Sequence, residues 1–177
     1  MLDYEFVFIV SIPLYIILLS YWVYKKNAFF TTLTRSVFYF YVIAVIAVTL
    51  FPIPFQGLEE IWKYGWWNNN FIPFHSIIDI IWNINLPFSV KIKQIVGNLI
   101  LLLPLWFFIP LVWEKKYTLS HLLWIGIIFS LWIEVTQFII SSLLGFNYKN
   151  FDVDDIILNS FWAMIWYVCY MFSFSKK

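Results

Sequence analysis

The chain has 177 residues, 63% hydrophobic, 24% aromatic and only 12% charged, with a net charge of +1. That composition excludes an ordinary soluble domain, and a near-neutral chain without a basic patch interleaved with aromatics offers nucleic acid nothing to bind. A single cysteine, Cys169, excludes an intrachain disulfide and a zinc-type cysteine cluster, and no Gly-rich phosphate loop, G-x-S-x-G or H-E-x-x-H is present.

A mean hydropathy of +0.82 identifies an integral membrane protein of the cell membrane, a single membrane domain over 1–177. Residues 6–24 are the first expected span, close to the roughly 20 residues a bilayer requires, and membrane helices tolerate the Pro13 inside it. Asp3 and Glu5 precede it where a signal peptide would be basic, and no small-residue cleavage site follows. Lys25, Lys26 and Arg35 bracket a polar link to a second span over 36–54, which Pro52 and Pro54 bring to an end, so the first two spans form a helical hairpin.

Residues 56–93 hold the longest stretch outside the bilayer, with Glu59, Glu60, the run Trp66-Trp67-Asn68-Asn69-Asn70 and the segment Phe71-Ile72-Pro73-Phe74-His75. Ile77, Ile78, Ile81 and Trp82 then recur at helical spacing with Asp79 and Asn83 on the other side, which predicts a short amphipathic helix lying in the interface. His75 reads as an interfacial side chain without an identified partner.

A third span over 92–113 carries Gln94 and Asn98 on one face, Gly97 beside them, and Pro104 as an expected kink. Glu114-Lys115-Lys116 makes a tight turn. In the fourth span, 119–144, Ser130, Glu134, Gln137 and Ser141 follow an i, i+4, i+7, i+11 pattern and form one polar stripe. His121 stands near its start and carries no chemistry. The fifth span, 153–172, opens on Phe151-Asp152-Val153-Asp154-Asp155-Ile156-Ile157-Leu158-Asn159. On that helix Asp155 and Asn159 share a face with Asp152, while Asp154 points about 100° away. Carboxylates suit a helix N-terminus, so capping accounts for Asp152 and Asp154 as readily as chemistry does. Asn159 lies a turn further in and needs a partner on another helix. The fold class is therefore an all-α, polytopic helical bundle of about five transmembrane helices, with an interfacial helix in the external loop.

Seven basic residues (Lys25, Lys26, Arg35, Lys115, Lys116, Lys176, Lys177) fall on one side and four (Lys63, Lys91, Lys93, Lys149) on the other. This puts the N-terminus outside and the C-terminus in the cytoplasm. At 1.5 Å per residue, Asn98, Gln137, Glu134 and Asn159 lie roughly 8–15 Å below the outer ends of their helices. An ionisable residue at that depth costs at least ~2.5 kcal/mol, which makes a functional or paired role the default. Glu134 is then either protonated and hydrogen-bonded to Asn98, Gln137 or Asn159, or it meets Lys149 or a bound cation. Gln94 and Ser141 read as polar glue between helices.

Four pieces in order carry a resemblance: Asn70-Phe71-Ile72-Pro73-Phe74, Gly97-Asn98-Leu99-Ile100-Leu101-Leu102-Leu103-Pro104, Ile133-Glu134-Val135-Thr136-Gln137, and the Phe151 to Asn159 segment. With them the chain resembles the VanZ-like family of small membrane proteins from about Asn70 to Tyr167. Lys149 stands where that pattern has Arg, keeping the charge without the bidentate fork, and Trp162 and Trp166 stand where it has glycines. The resemblance implies low-level resistance to glycopeptide antibiotics, chiefly teicoplanin, in a Gram-positive envelope, without remodelling of the wall precursor. On the residues, Asn70, Phe74, Asn98, Glu134, Gln137, Lys149, Asp152, Asp155 and Asn159 are the candidates to bind a membrane lipid, a lipid-linked wall precursor or a lipid-tailed drug. The alternative is an enzyme acting on a lipid head group, in which Glu134, Asp152, Asp154 and Asp155 serve as acid and base or hold Mg²⁺ or Ca²⁺. No other cofactor is evident, no nucleophile and base pair is recognisable, and five spans without a repeat weigh against a transporter.

Overall fold

A computed structural model describes residues 2–54, 69–113, 117–161 and 165. Its helices are α1 (Tyr4–Tyr24), α2 (Phe29–Leu50), α3 (His75–Trp82), α4 (Phe88–Leu101), α5 (Leu103–Trp113), α6 (Leu119–Leu144) and α7 (153–161). Among the described residues there is no strand, only two isolated bridges, Leu2 with Ile53 and Asn70 with Asp152. Four runs are long and apolar enough to cross a membrane: α1, α2, the joined run Phe88–Trp113, and α6. The protein is thus all-α and polytopic. The expected fifth span, 153–172, begins as the helix α7 and otherwise lies outside the described residues.

Local chemistry sets the ends of these helices. α2 starts seven residues before the expected 36, because its polar first turns satisfy themselves: Thr34 Oγ1 donates to Phe30 O at 2.9 Å and Ser36 Oγ to Thr32 O at 2.9 Å. Pro52 brings it to an end. The third span starts at Phe88, just after Pro87, and breaks at Leu102 as Pro104 predicts. Pro104 has no N–H for the carbonyl of Ile100, which takes the amide of Leu102 instead. α6 begins behind Thr118, whose Oγ1 accepts the His121 amide at 3.4 Å and lies 2.6 Å from His121 Nδ1, and it ends at Gly145, whose φ of 75° is the left-handed turn that glycine adopts without strain.

The chain divides into two compact units. The first comprises Met1–Gln56 and Phe107–Lys116. Here α1 and α2 make the expected hairpin: Tyr15 OH donates to Ser36 Oγ at 3.0 Å, and Tyr39 OH to Ser11 O at 2.6 Å. The ring of Tyr15 meets those of Tyr39 and Phe40 at 5.4 and 4.7 Å, and Phe38 of α2 meets Phe108 of α5 at 5.8 Å. The second unit comprises Gly57–Trp106 and Tyr117–Lys177. Its buried apolar residues include Leu102, Trp106, Leu122, Ile133 and Phe146. Trp106 lies against Gly126, where a methyl group would overlap its six-membered ring at Cη2 and Cζ2.

Candidate functional site

The second unit holds the site, built around the entry to α7. Asp152 caps this helix: its Oδ1 accepts the Asp154 amide at 2.8 Å. The same oxygen takes Asn70 Nδ2 at 2.8 Å. Backbone bonds reinforce that meeting, from Asn70 N to Phe151 O at 2.8 Å and from Val153 N to Asn70 O at 3.0 Å. Phe71 stacks on Phe151 with centroids 5.2 Å apart. The Asn70 segment and the Asp152 segment, 82 residues apart, are therefore one structural element.

Glu134 is buried, at 3% exposure, and its Oε2 accepts the backbone N–H of Asp152 at 2.9 Å. That hydrogen bond is to a main-chain amide at the mouth of α7 and not to Asn98, Gln137 or Asn159, while Lys149, the other expected partner, lies close enough for its charge to act on the carboxylate. One turn along α6, Ser130 Oγ accepts Asn159 Nδ2 at 3.0 Å. Two pairs, Glu134 with Asp152 and Ser130 with Asn159, thus join α6 to α7 along the polar stripe. From α4, Asn98 Nδ2 donates to Asp155 Oδ1. Three separate pairs, Asn98 with Asp155, Glu134 with the Asp152 amide and Ser130 with Asn159, thus tie the start of α7 to α4 and α6.

Asp154 takes a different part. At 1% exposure it is the most buried carboxylate here, and its oxygens accept the amides of Phe74 (Oδ1) and Ile77 (Oδ2, 3.1 Å). It caps α3 rather than its own helix, with Phe74 in the left-handed conformation at φ 66°. At the far end of α3, Lys91 Nζ donates to Ile81 O at 2.8 Å, so an anion stands at the N-terminus and a cation at the C-terminus of this helix. α3 is the short helix expected here, with Ile78, Ile81 and Trp82 exposed. His75 does have a partner: its Nδ1 lies 3.5 Å from Asp79 Oδ2, and both side chains are exposed.

Two adjoining clefts open between α3, α4 and the entry to α7. One, about 590 Å³, is lined by the polar residues Lys93, Gln94, Asn98, Asp152, Asp154 and Asp155 and by the apolar residues Ile77, Ile80, Val90, Ile95 and Leu158. The other, about 460 Å³, shares Ser76, Ile80, Gln94, Asn150 and Asp152 with it and adds Asn69, Asn70 and the His75–Asp79 pair. Glu134, Gln137, Lys149 and Asn159 line neither cleft; they lie behind the wall. Phe74 contributes its amide to Asp154 and is otherwise exposed. Gln137 and Ser141 are buried, and Ser141 Oγ donates to Lys149 O at 3.0 Å, holding the link before α7. Burial of that link lowers the Lys149 ammonium below its ordinary value, an effect the Glu134 carboxylate partly offsets, and pushes the Tyr148 hydroxyl up to about 12.

Among the described residues, no group of three or more His, Cys, Asp or Glu side chains is arranged to hold a metal ion. Of the candidate ligands, Asp154 gives both oxygens to backbone amides and Glu134 gives one. The residues that sequence reasoning passed over are Asn69, whose Oδ1 accepts the Phe151 amide at 2.9 Å, and Asn150 and Ser76, which line both clefts. Asn69 sits beside Asn70 in a run of asparagines, and only the geometry shows that both of them bond the Asp152 segment.

The sequence model of the VanZ/LLP1 family matches residues 38–174. Neither a curated protein nor a solved structure matches the chain.

Proposed function

The chain belongs to the VanZ/LLP1 family, and from that membership and the geometry of its clefts we propose that it binds an amphiphile at the outer membrane face. That amphiphile is a lipid-linked wall precursor or a lipid-tailed glycopeptide, and its capture gives low-level resistance to teicoplanin. The observation that carries this reading is a cleft lined both by the polar Lys93, Gln94, Asn98, Asp152 and Asp155 and by the apolar Ile77, Ile80, Val90 and Leu158. A polar head needs donors and acceptors of both kinds, a lipid tail needs the apolar wall, and binding sites of this size combine a few fixed polar groups with an apolar lining. Asp154 and Lys91 fix the helix α3 on one side, and the Glu134 to Asp152 bond fixes the entry to α7 on the other. The buried pairs are a positioning frame; the cleft residues meet the ligand.

The reading requires the clefts to face outward, as seven basic residues against four favour. With Cys169 replaced, a cysteine at Asn150 should label in intact cells and one at Lys116 only after permeabilisation; the opposite pattern rejects an outer-face site.

The decisive measurement is titration of the purified protein in nanodiscs with a lipid-linked wall precursor, teicoplanin and vancomycin, with and without Mg²⁺ or Ca²⁺. Saturable binding of the precursor or teicoplanin without a new product supports capture, and binding of neither rejects it. A second reading draws on Asp152 and Asp155 lining the same cleft: two carboxylates there could act as acid and base on a head group. A time-dependent product lost in Asp155→Asn would establish it in place of the first.

A further inference from the structure

The first unit holds a separate groove, about 410 Å³, which the outer-face reading does not use. It is lined by Leu18 and Trp22 from the last turns of α1, by Arg35, Phe38, Tyr39 and Val42 from α2, and by Val112 and Trp113 from the end of α5. Arg35 is the only arginine in the sequence. It stands six residues inside α2, which places its Cα roughly 9 Å from the helix end. Its side chain is half-buried, and among the described residues it forms no hydrogen bond or ion pair. A guanidinium at that depth must reach towards the interface for an acceptor.

The groove has the polarity of a phospholipid lying along the protein. Trp22 and Trp113 stand near the ends of their helices, where indole rings favour a bilayer interface, Leu18 and Arg35 lie about as far in as each other, and Val42 lies further along α2. Phe38 and Trp113 meet edge to face at 5.7 Å, so one wall is a fixed aromatic surface. Tyr39 OH is held by Ser11 O, which leaves Arg35 as the charged donor of the lining. The lining contains one cation and no carboxylate. We infer that this groove binds the phosphate of an anionic glycerophospholipid, with Arg35 gripping the phosphodiester and an acyl chain running past Val42 and Leu18. A planar guanidinium gives a phosphate two parallel hydrogen bonds, which a lysine does not. A zwitterionic head group would bring an ammonium to a groove that has no carboxylate for it.

Native mass spectrometry of the full-length protein, released from micelles supplied with equal amounts of phosphatidylglycerol and phosphatidylcholine of the same chain length, tests this. Retention of phosphatidylglycerol in clear excess is expected, with the preference lost in Arg35→Gln and reduced in Arg35→Lys. Lys25→Gln, which removes the same charge from an exposed position outside the groove, should keep it. Glycerol phosphate without acyl chains should not displace the lipid; displacement would make the ligand a soluble phosphate. Glu114 follows Trp113 in the sequence, and Glu114→Gln should leave retention unchanged or raised. Equal retention of both lipids, or an undiminished preference in Arg35→Gln, overturns the inference. The melting temperature of Arg35→Gln in lipid-free detergent separates a lost ligand from a lost fold: an unchanged value with lost preference assigns the effect to binding, and a collapsed value with normal binding by Arg35→Lys overturns it.

Discussion

Asp154 closes the amino end of a helix that begins about eighty residues before it: its Oδ2 accepts the Ile77 amide at 3.1 Å from a position 1% exposed to solvent. A carboxylate so placed neutralises the positive end of α3 and satisfies amides that would otherwise be orphaned. It is also what joins the Asn70-Phe71-Ile72-Pro73-Phe74 segment to the Asp152 segment from a second direction.

Asp154→Ala should therefore destabilise the protein by about 2–3 kcal/mol, and Asp154→Asn by roughly half of that, since an amide oxygen can still accept one N–H. Hydrogen exchange in detergent should show the loss first in the amides of α3 and only later in α6. Unchanged protection of Ile77 in Asp154→Ala would refute the cap.

Gly126 and Trp106 give a packing test. Gly126→Ala puts a methyl group into Cη2 and Cζ2 of a ring that is fully buried, and overpacking of this kind costs about 1–3 kcal/mol. Trp106→Phe deletes those two atoms together with an indole N–H that has no partner among the described residues. The double variant should be more stable than the sum of the two single changes implies, as thermal unfolding in one detergent can measure. Additive losses would mean that the two residues do not share the space.

The elements were legible because membrane spans announce themselves through length and hydropathy, and α6 begins and ends at the expected residues because Thr118 and Gly145 are local signals. The start of α2 was not, since Thr31, Thr32, Thr34 and Arg35 look like a link until the hydroxyls of Thr34 and Ser36 are seen to bond their own helix. The polar stripe of α6 was legible as a face, with Ser130, Glu134, Gln137 and Ser141 all buried. Its partners were not: Glu134 takes a main-chain amide, and a main-chain amide carries no signature in sequence. For Asp154, capping of its own helix stood beside chemistry as a reading; it does cap, but the distant α3, because capping between distant segments depends on register that no local pattern encodes.

Lys149 gives a test by pH. Burial holds its ammonium below the ordinary 10.5 despite the pull of Glu134. A folded-state value below the unfolded one means that the charged form opposes folding; the penalty is full below the folded value and fades as the pH rises through it toward 10.5. Lys149→Met should therefore match or exceed the wild type in melting temperature at neutral pH, and any advantage should shrink as the pH is raised. An advantage that grows on raising the pH would reverse the sign and mean that the paired charge stabilises the fold.

The last prediction joins the cleft to resistance. Expression in a susceptible Gram-positive host should raise the inhibitory concentration of teicoplanin more than that of vancomycin. Teicoplanin has an acyl tail that partitions into the outer leaflet, each buried CH₂ contributing about 0.8 kcal/mol, so a protein that captures the tail or shields its target there removes an advantage vancomycin never had. Asp155→Asn and Glu134→Gln should lower the effect by different routes. Asp155 lines the cleft, so its loss should weaken ligand binding by the purified protein. Glu134 stands behind the wall, and glutamine can still accept the Asp152 amide, so its loss should show mainly as altered affinity at normal folding. Ser141→Ala is a poor control, because that hydroxyl is buried and holds Lys149 O. Ser142→Ala is the better one: its Oγ is exposed and bonds only within its own helix, to Phe138 O at 2.8 Å. Equal shifts for both drugs would mean a general change in wall or membrane, and full resistance in both carboxylate variants would reduce the buried pairs to a structural frame with no part in the activity.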